Sequence, residues 1–366
     1  METQRLNVDP GDLDAPATDA SLTRAANILR AGGLVALPTE TVYGLGAHAL
    51  DPQAVARIFA AKQRPAWDPV IVHIAPLDRM DAMLDGLVDH VPDAARKLMD
   101  AVWPGPLTLL LPRTRAVPDA VTAGRPLVGV RMPAHPVALE LIRRAGVPIA
   151  APSANLFGHV SPTAADHVLA DLDGRIDAVV DAGPTGYGLE STVLDPCQDP
   201  MVIYRPGAVT EDQIRAVAGP VKIHRETARP GSVPRQALPA PGVGIRHYAP
   251  QARLILVESA PADLGACLAR RAAAESRERV GILLPADIEA PPELASYRLL
   301  PWGNWAVPEE MARDLYAGLR TLDAEGCTVI LCPLPPERGI GMAIRDRLKK
   351  AAGKAGMGGK GKQGTG

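Results

Sequence analysis

Aromatic side chains make up 3% of this 366-residue chain, and only two of them are phenylalanine. Base-stacking platforms are therefore scarce, which argues against a general single-strand RNA binder. The core must rest on Ala, Val, Leu and Ile instead. Charge of one sign is missing as well. With 39 basic and 41 acidic residues the formal charge is −2, so no global field draws in nucleic acid or a membrane surface, and any anion site must be local. No run of ~18 apolar residues occurs, and the acidic start METQRLNVDPGDLDAP lacks the apolar region of an export signal. The expectation is a soluble cytoplasmic protein with no membrane partner. Cys197, Cys267, Cys327 and Cys332 form no C-x-x-C pair and have no zinc-finger histidine spacing, which reads as scattered free thiols in a reducing compartment. Nothing resembles a nucleophile triad: Ser153 has no G-x-S-x-G around it.

What is present is a 47% hydrophobic chain long enough for two domains. Residues 1–18 read as a flexible polar arm. A helix begins at Asp19 or Ser21 and ends at Gly32-Gly33. Short apolar strands then alternate with helices to about residue 218, the pattern of an α/β domain with a largely buried sheet. Strands are expected at 34–37, 70–74, 107–111, 127–131, 147–150, 178–181, 191–194 and 201–204. Helices are expected after Asp51-Pro52, near 92–101, at 135–145, and from a Ser161-Pro162 cap to about 172. Residues 219–251 lapse into a Pro-, Gly- and Arg-rich linker ending Arg246-His247-Tyr248-Ala249-Pro250, which carries groups a bare spacer does not need. From 252 to 352 three strands with crossover helices suggest a smaller Rossmann-like sheet, with no G-x-G-x-x-G to assign it a dinucleotide. The Gly/Lys-rich tail 353–366 reads as disordered. Its GMGGKGK imitates a phosphate loop, but Gln363 replaces the Ser/Thr and no strand or helix flanks it.

The stretch from Leu37 to Ile74 concentrates polar chemistry. Thr39 and Thr41 place two hydroxyls in a loop closed by Gly44 and Gly46, and a capped helix delivers Lys62 and Arg64 just before Pro65. Cations held beside a helix breaker suit a polyphosphate or a carboxylate. Arg131-Met132-Pro133, Ala151-Pro152-Ser153-Ala154-Asn155, the Gly-rich Gly183–Ser191 loop and Tyr204-Arg205-Pro206-Gly207 add small and polar groups at strand ends, where α/β ligands gather. Taken singly, Arg131 fits a surface arginine at a strand exit, Ser161 a helix cap, and His73 a satisfied core histidine.

Together PTETVYGLGA, KxRP followed by PVIVHI, GVRMP, APSAN, SPT, ESTV, YRPG and RHYAP resemble the YrdC-like threonylcarbamoyl-AMP synthase family in its long two-domain form. The resemblance implies a YrdC-like twisted mixed sheet with helices over 19–218, plus a C-terminal Rossmann-like α/β domain. It implies ligation of L-threonine, bicarbonate or CO2 and ATP to threonylcarbamoyl-AMP and pyrophosphate, with Mg²⁺ on the ATP. The product would be handed to a threonylcarbamoyl-transferase machinery that modifies tRNA, so tRNA itself is met only indirectly. By the family's pattern Thr41, His73, Arg131, Ala151 and Ser191 would surround threonine. Lys62 and Arg64 would carry the chemistry and, with Asp68, Leu127, Ser153, Asn155, Ser161 and Arg205, hold ATP, while His247 and Tyr248 would close over it from the linker. Three positions depart from the family: Asp68 where Asn is usual, Leu127 where Thr is frequent, and Gln63 in place of Gly. Asp68 either helps hold Mg²⁺ or faces away. An RNA-binding module with a basic concave surface and no chemistry is the alternative, and a carbamoyl-transfer domain of hydrogenase maturation is disfavoured by the missing cysteine pairs.

Overall fold

The computed structural model describes residues 2–77, 82–224, 238, 240, 243 and 248–353. The chain divides into two compact units, Met1–Phe157 with Ser161–Gly244, and Gly158–Val160 with Ile245–Gly366.

The first unit runs β1 (Gln4–Asn7), α1 (Pro16–Arg30), β2 (Val35–Leu37), β3 (Gly44–His48), α2 (Pro52–Lys62), β4 (Ile71–His73), α3 (Asp93–Val102), β5 (Leu107–Pro112), α4 (Asp119–Thr122), β6 (Leu127–Arg131), α5 (Pro136–Ala145), β7 (Ile149–Ala150), α6 (Ala165–Leu172), β8 (Ala178–Asp181), β9 (Thr192–Asp195), β10 (Met201–Arg205), α7 (Glu211–Ala218) and β11 (Val221–Ile223). Its mixed sheet has the order β1-β8-β2-β3-β7-β4-β6-β5-β9-β10-β11.

Side-chain alternation along the strands separates two differently packed faces of the sheet. On β4 to β6 and β9, Val72, Leu107, Leu109, Leu111, Val128, Val130 and Leu194 join the main core under the helices. The alternate residues Ile71, Leu110, Leu127 and Val193 form a separate patch with Tyr204, covered by Ala240 and Val243. His73, Arg131 and Thr108 share the parity of that second set. Arg205 reaches the same face through a bulge: the register steps from Ile203↔Leu194 to Arg205↔Val193, so the extra residue turns Arg205 over to the side of Val193.

Several expectations change here. The expected arm, residues 1–18, is structured from residue 2 on: β1 pairs parallel with β8, Arg5 Nη2 lies 2.6 Å from Asp181, and α1 starts at Pro16, a good first helical position. The loop expected at Gly44 and Gly46 is strand β3. A Cβ at Gly46 would lie 2.8 Å from the Leu37 side chain and 2.9 Å from that of Ile149, so this glycine serves close strand packing. Asp51 does cap α2, accepting from the amides of Gln53 and Ala54. Ser161 does not cap α6, whose N-cap is Ala164 without a side-chain bond.

In the second unit β12 (Arg253–Val257), α8 (Pro261–Ala274), β13 (Val280–Leu284), a 3-10 turn (Pro292–Leu294), β14 (Arg298–Pro301), α9 (Pro308–Ala324), β15 (Val329–Pro333) and α10 (Ile340–Ala352) follow in order. The sheet is β12-β15-β13-β14, parallel throughout, with one strand more than expected because β14 is short and ends in Pro301. Trp302 is fully buried beside it and donates from Nε1 to the Met311 carbonyl at 2.7 Å. Among the described residues no helix is long and apolar enough to cross a membrane. The Gly/Lys tail with its phosphate-loop imitation lies outside the described residues, except for Gly353.

Candidate functional site

Three buried cations, Lys62, Arg131 and Arg205, lie on the first unit together with Arg64, whose side chain is 6% exposed. Lys62, at the last turn of α2, is 1% exposed and donates from Nζ to the carbonyls of Ser153 and Asn155. Its pKa lies well below that of an ordinary lysine, through burial first and then the neighbouring Arg64 charge. Arg64 points back along the turn, with Nη2 2.9 Å from the Asp68 carboxylate while Nε and Nη2 donate to the carbonyls of Asp68 and Pro69. Asp68 itself is fully buried. The Asp68 side chain faces Arg64 and serves it as an ion-pair partner.

Arg131 ends β6 next to His73 of β4, the two residues standing in register. The guanidinium donates from Nη1 to Thr41 Oγ1 at 2.9 Å and from Nε to the Gly105 carbonyl at 3.2 Å. Thr41 Oγ1 lies 2.8 Å from Thr39 Oγ1, and Thr39 donates to the Val42 carbonyl at 2.6 Å, so the two hydroxyls of the β2–β3 loop are fixed relative to the arginine. Glu40, between them, has its carboxylate 2.7 Å from Arg131 Nη2. Burial, reinforced by the Arg131 charge, pushes the His73 pKa down to about 3, and its Nδ1 has no hydrogen-bond partner. His73 is thus a neutral ring beside the Ile71 backbone, with its Nδ1 left without an aligned hydrogen bond.

Arg205 is also buried. It donates from Nε to the Ser191 carbonyl and from Nη2 to Ser191 Oγ, both at 3.1 Å, and Ser191 Oγ lies 2.8 Å from Thr108 Oγ1. One residue earlier, Glu190 accepts from Ser161 Oγ at 2.6 Å. Gly207 makes this junction possible, since a Cβ there would stand 2.3 Å from the Thr192 amide nitrogen. His73, Arg131, Thr108 and Ser191 therefore form a row across or beside four adjacent strands, β4, β6, β5 and β9.

The remaining expected residues fall as follows. Ala151 donates its amide to the Ile71 carbonyl, which sets it beside the start of β4, and Ser153 bridges to Gly44 at the start of β3. Asn155 is buried, with Nδ2 donating to the Leu156 carbonyl. Leu127 packs against the apolar patch that Ala240 and Val243 cover. Tyr248, expected over the nucleotide, is packed within the second unit, its ring stacked 5.8 Å from Tyr316 with the Arg347 guanidinium 5.3 Å from its centre. His247 lies outside the described residues. Sequence reasoning passed over Glu40, Thr108 and Glu190. For Glu40 and Glu190 the signal was present, an acidic residue inside each Thr- or Ser-flanked motif. Thr108 stands in an apolar strand, where nothing local marks it. Among the described residues no group of three or more His, Cys, Asp or Glu could hold a metal ion.

Two family models cover most of the chain. One, Sua5/YciO/YrdC, described as "Telomere recombination", matches residues 27–207; the other, described as "Threonylcarbamoyl-AMP synthase, C-terminal domain", matches 209–353. The threonylcarbamoyl-AMP synthase of Bacillus subtilis (strain 168) is 43% identical over 354 residues, 96% of this chain and 99% of that one. The one from Schizosaccharomyces pombe is 36% identical over 96% of this chain and 92% of that one. A crystal structure of P. abyssi Sua5 complexed with L-threonine superposes with a TM-score of 0.84 at 40% identity, covering 96% of this chain and 98% of the other.

Proposed function

The chain belongs to the threonylcarbamoyl-AMP synthase family, and from that premise we propose that its sheet face binds L-threonine and ATP side by side. It is an enzyme that ligates L-threonine, bicarbonate or CO2 and ATP into threonylcarbamoyl-AMP and pyrophosphate, the first step of threonylcarbamoyladenosine formation in tRNA.

The observation that carries the assignment of the face is a pair of buried cations, Lys62 and Arg205, neither of them ion-paired directly among the described residues, with the Asp68 and Asp171 charges acting on Lys62 only from further off. Among the described residues no carboxylate lies in ion-pair range of Lys62 or Arg205, although both are 5% exposed or less. Burying a charge without a partner is costly, so these two side chains are kept for an anion that arrives. A triphosphate supplies it. Lys62, Arg64 and Arg205, with Ser153, Asn155 and Ser161 beside them, hold ATP. Thr41, His73, Arg131, Ala151 and Ser191 hold threonine, the neutral His73 offering its unpartnered nitrogen to a polar group. Once carboxylated, threonine attacks the α-phosphate. The protein's part is to position the two substrates and offset the charge that moves to the leaving pyrophosphate. No covalent nucleophile is needed. Mg²⁺ enters with ATP as part of the substrate, since Mg²⁺ at such sites is bound largely by phosphates and water and the described residues offer it no carboxylate cluster. The adenylate is released to a transferase that works on tRNA. The RNA-binding alternative is set aside, because the relatives are named as synthases over nearly their whole length.

The test is threonine- and bicarbonate-dependent pyrophosphate release from ATP, measured alongside adenylate formation. Wild type is expected to give both. Arg64→Ala is expected to lose both while melting cooperatively. Pyrophosphate release that ignores threonine would remove the functional reading, whereas an active Arg64→Ala would remove only the placement of the phosphates.

A further inference from the structure

The contact between Glu40 and Arg131 is incomplete in a way that points outward. Their charged atoms stand 2.7 Å apart, with side chains 10% and 4% exposed. Yet neither Glu40 oxygen accepts an aligned hydrogen bond, and Arg131 Nη2 donates none. The ion pair is close but out of line. A buried carboxylate ordinarily accepts several hydrogen bonds, and one left with none carries most of its desolvation cost. Arg131 has two donors committed, to Thr41 and to Gly105, out of the five a guanidinium carries.

The surroundings hold Glu40 in place without satisfying it. Its backbone carbonyl accepts from the Tyr187 amide at 2.8 Å, tying it to the Gly-rich loop. On that loop Thr185 Oγ1 is likewise buried and unpartnered. Thr39 and Thr41 on either side are locked to each other. A buried anion and a buried cation, adjacent and each with open valences, are complementary to a zwitterion.

We propose that Glu40 is a substrate-binding residue that takes the α-ammonium group of the amino acid, while Arg131 takes its α-carboxylate. This rests on the threonine reading above and extends it to a residue that reading leaves unused. It explains why a carboxylate is buried beside an arginine that must itself bind an anion: without ligand the two charges face each other out of line, and with a zwitterion bound they become an alternating row of charges. It also makes the site selective for α-amino acids over hydroxy acids of the same shape, because an analogue without the ammonium group leaves the Glu40 oxygens dry and unpaired.

The test is calorimetric titration with L-threonine and with 2,3-dihydroxybutanoate of matching stereochemistry, in which a hydroxyl replaces the amine. Wild type is expected to prefer threonine. In Glu40→Gln, threonine affinity should fall about tenfold or more, the low end for a charge-assisted hydrogen bond, while the hydroxy acid binds as before or more tightly. A role confined to propping Arg131 predicts equal weakening of both ligands, since both carry the carboxylate; that result, or no change in either, overturns the proposal. If Glu40→Gln does not fold, Glu40→Asp carries the same pair of titrations, the retracted carboxylate again weakening threonine selectively. Wild type that fails to bind threonine at all removes the underlying reading, which is told apart because it precedes any comparison of variants.

Discussion

Asp68 is the buried carboxylate paired with Arg64, and replacing it by Asn separates two effects expected of it if Arg64 meets phosphate. Removing one member of a buried ion pair ordinarily costs about 3–5 kcal/mol, because a charge is left stranded. Here Arg64 keeps the carbonyls of Asp68 and Pro69, and the asparagine oxygen can still accept, so about 2–3 kcal/mol is the better figure. At about 2–4 °C per kcal/mol for a unit of this size, the melting temperature should fall by about 5–10 °C. The effect on ATP has the opposite sign. Arg64 Nη2 faces Asp68 at 2.9 Å, so an incoming phosphate must displace or share that carboxylate and meet its repulsion. With an effective dielectric near 20, two like charges about 5 Å apart repel by about 3 kcal/mol; relief of even half of that tightens ATP about tenfold. Thermal melts with and without Mg-ATP, followed by calorimetric titration, read both quantities. A destabilised variant whose ATP affinity is unchanged or weaker refutes the placement of phosphate at Arg64. An unchanged melting temperature refutes the energetic weight given to the pair.

Two further outcomes follow from the geometry. His73, with a folded pKa of about 3 against an unfolded value near 6.5, is neutral when folded and protonates only on unfolding between those values. The unfolded chain therefore binds the extra proton, and stability falls as pH drops below about 6.5, by up to about 1.4 kcal/mol per unit from this group. Urea denaturation at pH 6.5 and 5 should show a shallower loss in His73→Gln, and parallel slopes would contradict the assignment. Gly207→Ala would drive a Cβ to 2.3 Å from the Thr192 nitrogen and 2.6 Å from the Ser191 carbonyl carbon. That should cost about 1–3 kcal/mol by overpacking and reduce activity more than tenfold by shifting Ser191 and Arg205; a variant of full activity would show that the junction has slack.

Much of the first unit was legible because its signals are local. Asp51-Pro52 opens α2 and is seen doing so, and the strands at 127–131 and 178–181 were placed to the residue. What escaped depends on distant partners. Gln4–Asn7 carries no apolar run, and it becomes a strand because β8 offers an open edge. Gly44 and Gly46 look like turn residues, yet the space between Leu37 and Ile149 is what demands Gly46. The motif residues could be named from sequence, but their relations could not. That Asp68 neutralises Arg64, that a bulge turns Arg205 over, and that Tyr248 packs on Tyr316 are facts of register and folding-back, invisible in spacing.

The hydroxyl pair beside Arg131 has a direction. Thr39 gives its proton to the Val42 carbonyl, so the proton between the two threonines belongs to Thr41. Thr41 already receives one from Arg131. Polarity therefore runs one way, from guanidinium through Thr41 and Thr39 to the backbone, and Thr41 has no proton left to give. Whatever touches its oxygen must bring its own hydrogen. A ligand hydroxyl satisfies that rule, while an ether or a ketone in the same place meets lone pair with lone pair. A ligand seated against this loop would be selected by its protonation pattern as well as by its shape.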